Sequence, residues 1–161
     1  MCSSDLPKFK IDAVLEEWEI PGNRTAVRPQ TVRRVLEINK AVDEMSKAGI
    51  IEPSNALYYS HQVIVQKTAD SFRCCIDYRG LNACVKPATW PLPNTRGLFE
   101  RIGHNNPTIF GVMDLSQGYH QLGLDDASKV LTAFISPTGI YQFTRLPFGP
   151  TRAPPSSRNK W

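Results

Sequence analysis

The apolar run "TIFGVM" ends in a carboxylate, Asp114, and continues through Leu115, Ser116, Gln117 and Gly118 to an aromatic, Tyr119. An aspartate at the end of a β-type run is placed as a metal ligand would be. A hard cation takes several oxygen ligands, however, so Asp114 needs converging partners to hold one. Taken alone, an aspartate there is more often a turn residue. A second set lies in "FRCCIDYR", where a strand period puts Phe72, Cys74, Ile76 and Tyr78 on one face and Arg73, Cys75, Asp77 and Arg79 on the other. The charged face reads either as plain solvent-facing strand or as a phosphate grip. Asp77 and Arg79 themselves read as a structural ion pair or as strand-face charges.

Other chemistry-bearing residues carry weaker signals. Asp125 and Asp126, followed by Ala-Ser-Lys, fit an exposed turn. His61, His104 and His120 have no metal or triad spacing and read as structural. Cys2, Cys74, Cys75 and Cys84 lack the C-x-x-C spacing of a zinc or redox site. Adjacent Cys74 and Cys75 on a strand would point to opposite faces, so buried or idle thiols are expected.

The elements that must hold these residues follow from periodicity. Val35, Ile38, Val42 and Met45 recur at three- and four-residue steps, with Thr31 placed to cap a helix and Gly49 to end it. Ile50, Ile51 and Pro53 close that helix, and a loop leads to "HQVIVQK", a turn "TADS" and "FRCCIDYR", the pattern of a β-hairpin. Pro87, Pro91 and Pro93 force an extended passage, after which Asn94 can cap a short helix through Leu98, Phe99 and Ile102 to Gly103. "TIFGVMD" reads as a buried strand. "VLTAFIS" and "IYQFTRL" read as strands flanking a Pro137-Thr138-Gly139 turn, and Pro150, Pro154 and Pro155 oppose a helix at the end.

At 161 residues and 41% hydrophobic, the chain suits one domain with a real core. It shows neither a secretory signal pattern nor an apolar run long enough to span a membrane, so an intracellular protein, cytoplasmic or nuclear, is expected. The formal charge of +4 is uneven: residues 1–22 carry −3, leaving +7 on the remainder. A basic body suits a polyanionic partner, although charge alone does not single out nucleic acid.

Taken together, "KAGIIEPSNALYYSHQVIVQK", "FRCCIDYRGLN", "WPLPN", "MDLSQGYHQ", "TAF" and "YQFTRLPFG" resemble, in order and spacing, the reverse transcriptase of gypsy-type LTR retrotransposons. The resemblance covers residues 30–149. It implies an α+β fold, the fingers and incomplete palm of a right-hand polymerase, with residues 1–29 a leader, possibly disordered, and 150–161 a divergent Pro/basic tail. The implied ancestral activity is RNA-directed DNA synthesis from deoxynucleoside triphosphates on an RNA or DNA template-primer, with Mg²⁺ or Mn²⁺ in a two-metal mechanism.

By the same resemblance, Asp114 matches the first catalytic carboxylate and metal ligand, and Leu115 the neighbour whose backbone carbonyl helps hold the metal. Gln117 and Gly118 would bring backbone N–H groups near the triphosphate, where glycine permits close approach. Tyr119 matches the aromatic under the sugar that excludes a 2′-hydroxyl. Arg73 matches the fingers arginine on the triphosphate, a planar fork suited to phosphate oxygens, with Lys67 a candidate second cation. Phe148 and Gly149 of "LPFG" match the lining of the nucleotide pocket.

The family's remaining carboxylates lie in a Tyr-x-Asp-Asp hairpin, which does not occur in the 47 residues that follow Asp114. The chain is therefore expected to hold one part of a divided site and to be inactive alone. The alternatives are a non-catalytic nucleic-acid-binding or interaction module derived from a retroelement, and a nonfunctional relic.

Overall fold

The computed structural model describes residues 8–27, 29–68, 71–86, 94–114 and 118–150. The described part of the expected leader is fastened to the body. Phe9 bridges to Leu124 and Ala13 to Val85, and the Ile11 N–H donates to Ser128 Oγ at 2.7 Å. A single helical turn, α1 (Leu15–Trp18), then buries Trp18. Ile11 and Trp18 thus join the main core, which removes their apolar surface from water.

Helix α2 (Val32–Lys47) forms where the apolar spacing predicts it. Ile38 and Val42 are buried, with Met45 packed beside them. Thr31 occupies the N-cap position but makes no side-chain cap bond. At the other end Gly49 adopts φ 66°, while Gly49 and Ile50 donate to the Ser46 and Met45 carbonyls at 3.0 and 2.9 Å, a Schellman closure. The chain turns directly into β1 (Ile51–Pro53).

The expected hairpin is present as β2 (Ser60–Thr68) and β3 (Ser71–Asp77), paired antiparallel with Val65 opposite Arg73 and Val63 opposite Cys75. The "FRCCIDYR" strand is shorter than its alternation suggested. It stops at Asp77, and Arg79 opens a short helix, α3 (Arg79–Cys84), that buries Leu81 and Cys84. Helix α4 (Thr95–His104) begins as expected, with Asn94 Oδ1 accepting from the Arg96 and Gly97 N–H groups. The "WPLPN" passage before Asn94 lies outside the described residues.

Two expectations fail downstream. "TIFGVMD" is irregular and exposed, with Val112 95% and Met113 97% accessible. An apolar sequence becomes a strand only when another strand takes its backbone hydrogen bonds, and among the described residues none pairs with it. The start of "VLTAFIS" is helical: α5 (Asp126–Leu131) takes Val130 and Leu131, and strand β4 is only Phe134–Ser136. Asp125 and Asp126 are accordingly a helix start rather than a turn. Asp125 accepts from the Ser128 N–H at 3.1 Å, and Asp126 pairs with Lys129 at 2.9 Å.

Strand β5 (Gly139–Phe143) returns on β4 with Ser136 opposite Gly139, as the Pro137-Thr138-Gly139 turn requires. The sheet order is β1-β5-β4-β2-β3, antiparallel except for the parallel pair β2 and β4. Phe134, Phe143, Leu124, Leu146, Leu81 and Tyr78 fill the core between this sheet and its helices. This is the mixed α+β architecture expected from the sequence.

Candidate nucleotide-binding cleft

Strand β3 and the segment after β5 meet at one end of the sheet. The segment 118–124 is threaded there by backbone bonds: Leu146 N–H donates to Leu122 O at 2.8 Å, Leu124 N–H donates to Thr144 O at 3.0 Å, and Gly123 bridges to Arg145. A 3₁₀ turn, Gly118–Gln121, thereby sets Tyr119 and His120 against Phe148. Tyr119 meets Phe148 edge-on at 4.7 Å between ring centroids, and His120 meets it edge-on at 5.3 Å. His120 also stacks near Phe143 at 6.4 Å. Such edge and offset geometries suit the quadrupoles of the rings.

These contacts bound a cleft of about 570 Å³ lined by Arg73, Cys74, Cys75 and Ile76 of β3, Met45 of α2, and Phe143, Pro147, Phe148 and Gly149, with His120 between. Its size is in the range of small-molecule sites. Three residues named from the sequence, Arg73, Phe148 and Gly149, therefore share one wall-to-wall space. Tyr119 touches it through Phe148, and Gly118 heads the turn that presents Tyr119.

Gly149 has a local reason to be glycine. Its φ is 115°, a Cβ there would approach Tyr78 Cδ2 to 3.1 Å, and its carbonyl accepts from Asn82 Nδ2 at 2.9 Å. The Tyr78 ring that crowds it is buried and donates its hydroxyl to Thr132 O at 3.0 Å. Burial holds that phenol well above its usual range, so it remains a donor.

Burial pushes the Cys74 thiol up to about 11, only partly offset by the Gln62 amide that donates to its sulfur, so it stays protonated at neutral pH. Burial, with the Arg145 cation next, lowers His120 below its ordinary 6.5, which leaves the imidazole neutral near pH 7. Asp77 and Arg79 form the expected ion pair, a two-pronged contact at 2.8 and 2.7 Å. They lie in a separate depression beside Trp18 and Tyr59.

Asp114 stands at the exposed end of the irregular 105–114 segment and is not among the residues lining the cleft. Leu115, Gln117 and the Lys67 side chain lie outside the described residues. Among the described residues no group of three or more His, Cys, Asp or Glu could hold a metal ion. The described residues do not by themselves make a divalent-cation site. His120, read as structural, is instead part of the cleft; its adjacency to Tyr119 was the available signal. Met45 and Phe143 gave none, because their inward periodicity is that of any core residue.

Among the described residues no helix is long and apolar enough to cross a membrane. Residues 65–157 match the family model described as reverse transcriptase (RNA-dependent DNA polymerase). The retrovirus-related Pol polyprotein from transposon 297 of Drosophila melanogaster is 36% identical over 124 residues, 74% of this chain and 12% of that protein. The corresponding polyprotein of the Drosophila transposon 412 is 36% identical over 129 residues, 76% of this chain and 10% of its own length. The Tf2-3 polyprotein of Schizosaccharomyces pombe is 28% identical over 147 residues, 91% of this chain and 11% of that protein.

The fold is similar to a foamy viral protease-reverse transcriptase in complex with double-stranded DNA, with a TM-score of 0.63 at 19% identity over 90% of this chain and 24% of that one. The same viral protein in complex with an RNA/DNA hybrid gives 0.65 at 18% identity, over 90% and 19%. The chain thus spans a small part of each relative, and within that part motif, sequence and architecture agree: it belongs to the reverse transcriptase family of LTR retrotransposon Pol polyproteins.

Proposed function

We propose that this segment supplies the nucleotide-binding side of a polymerase site that performs template-directed DNA synthesis. The observation that carries the reading is the cleft itself, where Arg73, Phe148 and Gly149 converge from β3 and from the chain beyond β5, with Tyr119 packed on Phe148. An exposed guanidinium above an apolar floor matches the chemistry of a nucleoside triphosphate: Arg73 takes phosphate oxygens, and the aromatic floor takes the sugar and base. Gly149 lets backbone approach a ligand where a side chain would collide with Tyr78.

Tyr119 is the group proposed to discriminate sugars by bulk, and Gly118 and Gln117 those that bring N–H donors to the phosphates. Reverse transcriptases as a family use divalent metals. Asp114, with the Leu115 carbonyl, is proposed as one ligand contributed to such a site, the others coming from outside the described residues. An RNA or DNA template-primer is the proposed partner, in keeping with the nucleic acids in the complexes of the viral relatives. No polymerisation by this chain alone is expected, since one carboxylate cannot organise the reaction.

The test has two arms. Purified chain is titrated with dTTP, where Arg73→Ala should weaken binding by about tenfold, the scale of one charge-assisted contact. Residues 30–149 are then exchanged into the corresponding stretch of the transposon 297 polyprotein and primer extension is measured. Asp114→Asn should abolish extension there, and Tyr119→Ala should admit ribonucleotides. A chimera that extends primers at full rate with Asp114→Asn removes Asp114 from the site.

A further inference from the structure

The cleft contains a polar ring that the nucleotide reading leaves unused. His120 lines the cleft with Arg73 of β3 and packs on the Phe143 and Phe148 rings, and most of the remaining lining, Met45, Ile76 and Pro147, is apolar. Its backbone carbonyl accepts from Arg145 Nη1 at 3.3 Å, which anchors the residue from the main chain, and its ring is part of the cleft lining.

We propose that His120 is a second phosphate-binding group of this cleft, acting beside Arg73 and taking up a proton from solvent when a triphosphate enters. The inference rests on the nucleotide reading of the cleft. Its argument is electrostatic. The titratable and charged groups around the ring are Arg73 and the Cys74 and Cys75 thiols from β3 and Arg145 from the segment after β5; Met45 from α2 and Phe143 from β5 bring no charge. With Arg73 in the cleft wall, Arg145 against the His120 main chain and mostly apolar lining, a third cation is disfavoured, and the ring is held neutral by burial and then by Arg145. A triphosphate reverses the sign of the local field, because its charge exceeds that of the two arginines. The imidazolium then becomes the favoured form, with a charge-assisted N–H to donate.

Calorimetric titration of the full chain with dTTP, in buffers of different ionisation enthalpy at pH 6, reads the proton uptake directly. Wild type should take up more protons than His120→Phe, which keeps an aromatic ring, and more than His120→Gln, which keeps a neutral polar group. Between pH 7.5 and 5.5 the wild-type affinity should tighten about fivefold more than that of either variant, about tenfold being the limit that a one-unit rise in the imidazole pKa on binding sets at still lower pH. Titration of the nucleotide's own phosphate is common to all three proteins and cancels in the comparison. Equal affinities and equal proton uptake in wild type and variants would overturn the role of His120 while leaving the nucleotide cleft standing. If the variants do not fold, wild-type uptake no greater than the nucleotide itself accounts for overturns it too. Absence of dTTP binding by wild type at both pH values would overturn both readings.

Discussion

At the scale of single residues, the cleft shows how an ordinary-looking side chain acquires a function from its surroundings. His120 is one of three histidines with no spacing signal, yet the 3₁₀ turn places it among aromatic rings and beside Arg145. Its lowered pKa has a stability consequence of definite sign. In the unfolded chain the imidazole takes up a proton near 6.5, and in the folded chain only at lower pH, so acidification favours the unfolded state. The contribution is complete above 6.5 and is lost as pH falls through the folded value. Urea midpoints measured from pH 7.5 to 5 should therefore fall more steeply for wild type than for His120→Phe. Parallel profiles would show that the ring gains no protection from its site.

At the scale of elements, the junction between β3 and the chain beyond β5 decides whether the cleft exists. Gly149 is closely packed at that junction, with a φ of 115° and Tyr78 Cδ2 at 3.1 Å from where a Cβ would sit. Gly149→Ala should cost about 2 kcal/mol in equilibrium unfolding, from backbone strain and displacement of a buried ring, and should weaken dTTP binding in parallel. An unchanged urea midpoint would mean that the junction yields without loss. Ala substituted at Gly103, where a Cβ meets nothing within 4 Å, is the control and should be neutral or mildly stabilising.

At the scale of the whole molecule, two features stand out. One is apolar: Phe99 of α4 and Ile109, Phe110, Val112 and Met113 beyond it are all exposed, in a quantity more typical of an interface than of a free monomer. The isolated chain should bind a hydrophobic dye and self-associate, and serine at Phe110 and Met113 should reduce both. A monomer with a sharp melt and no dye binding would contradict the exposed surface. The other feature is the charge of the chain, +7 residing outside the acidic first 22 residues. Binding to a template-primer should be weak, indifferent to sequence and progressively lost as salt rises, through release of condensed counterions. A flat salt dependence would argue that phosphate contacts play no part.

Much of this molecule was readable from its residues because the signals were local. The α2 period, the Gly49 closure, the Asn94 cap and the alternation of β2 and β3 each rest on interactions within a few residues, so they hold whatever else the chain does. The order of motifs from "HQVIVQK" to "LPFG" likewise identified the family, since collinear residue types survive where overall identity is modest. Tertiary structure alone decided the rest. It showed Phe9 and Ile11 pinned to Leu124 and Ser128, turned Val130 and Leu131 into helix, and left "TIFGVM" in the open, because a strand is made by its neighbours and not by its own apolarity. It also decided that Arg73 and His120, 47 positions apart in the chain, face one cleft: spacing along a sequence carries no information about distance across a sheet until long-range pairing sets which strands and turns lie side by side.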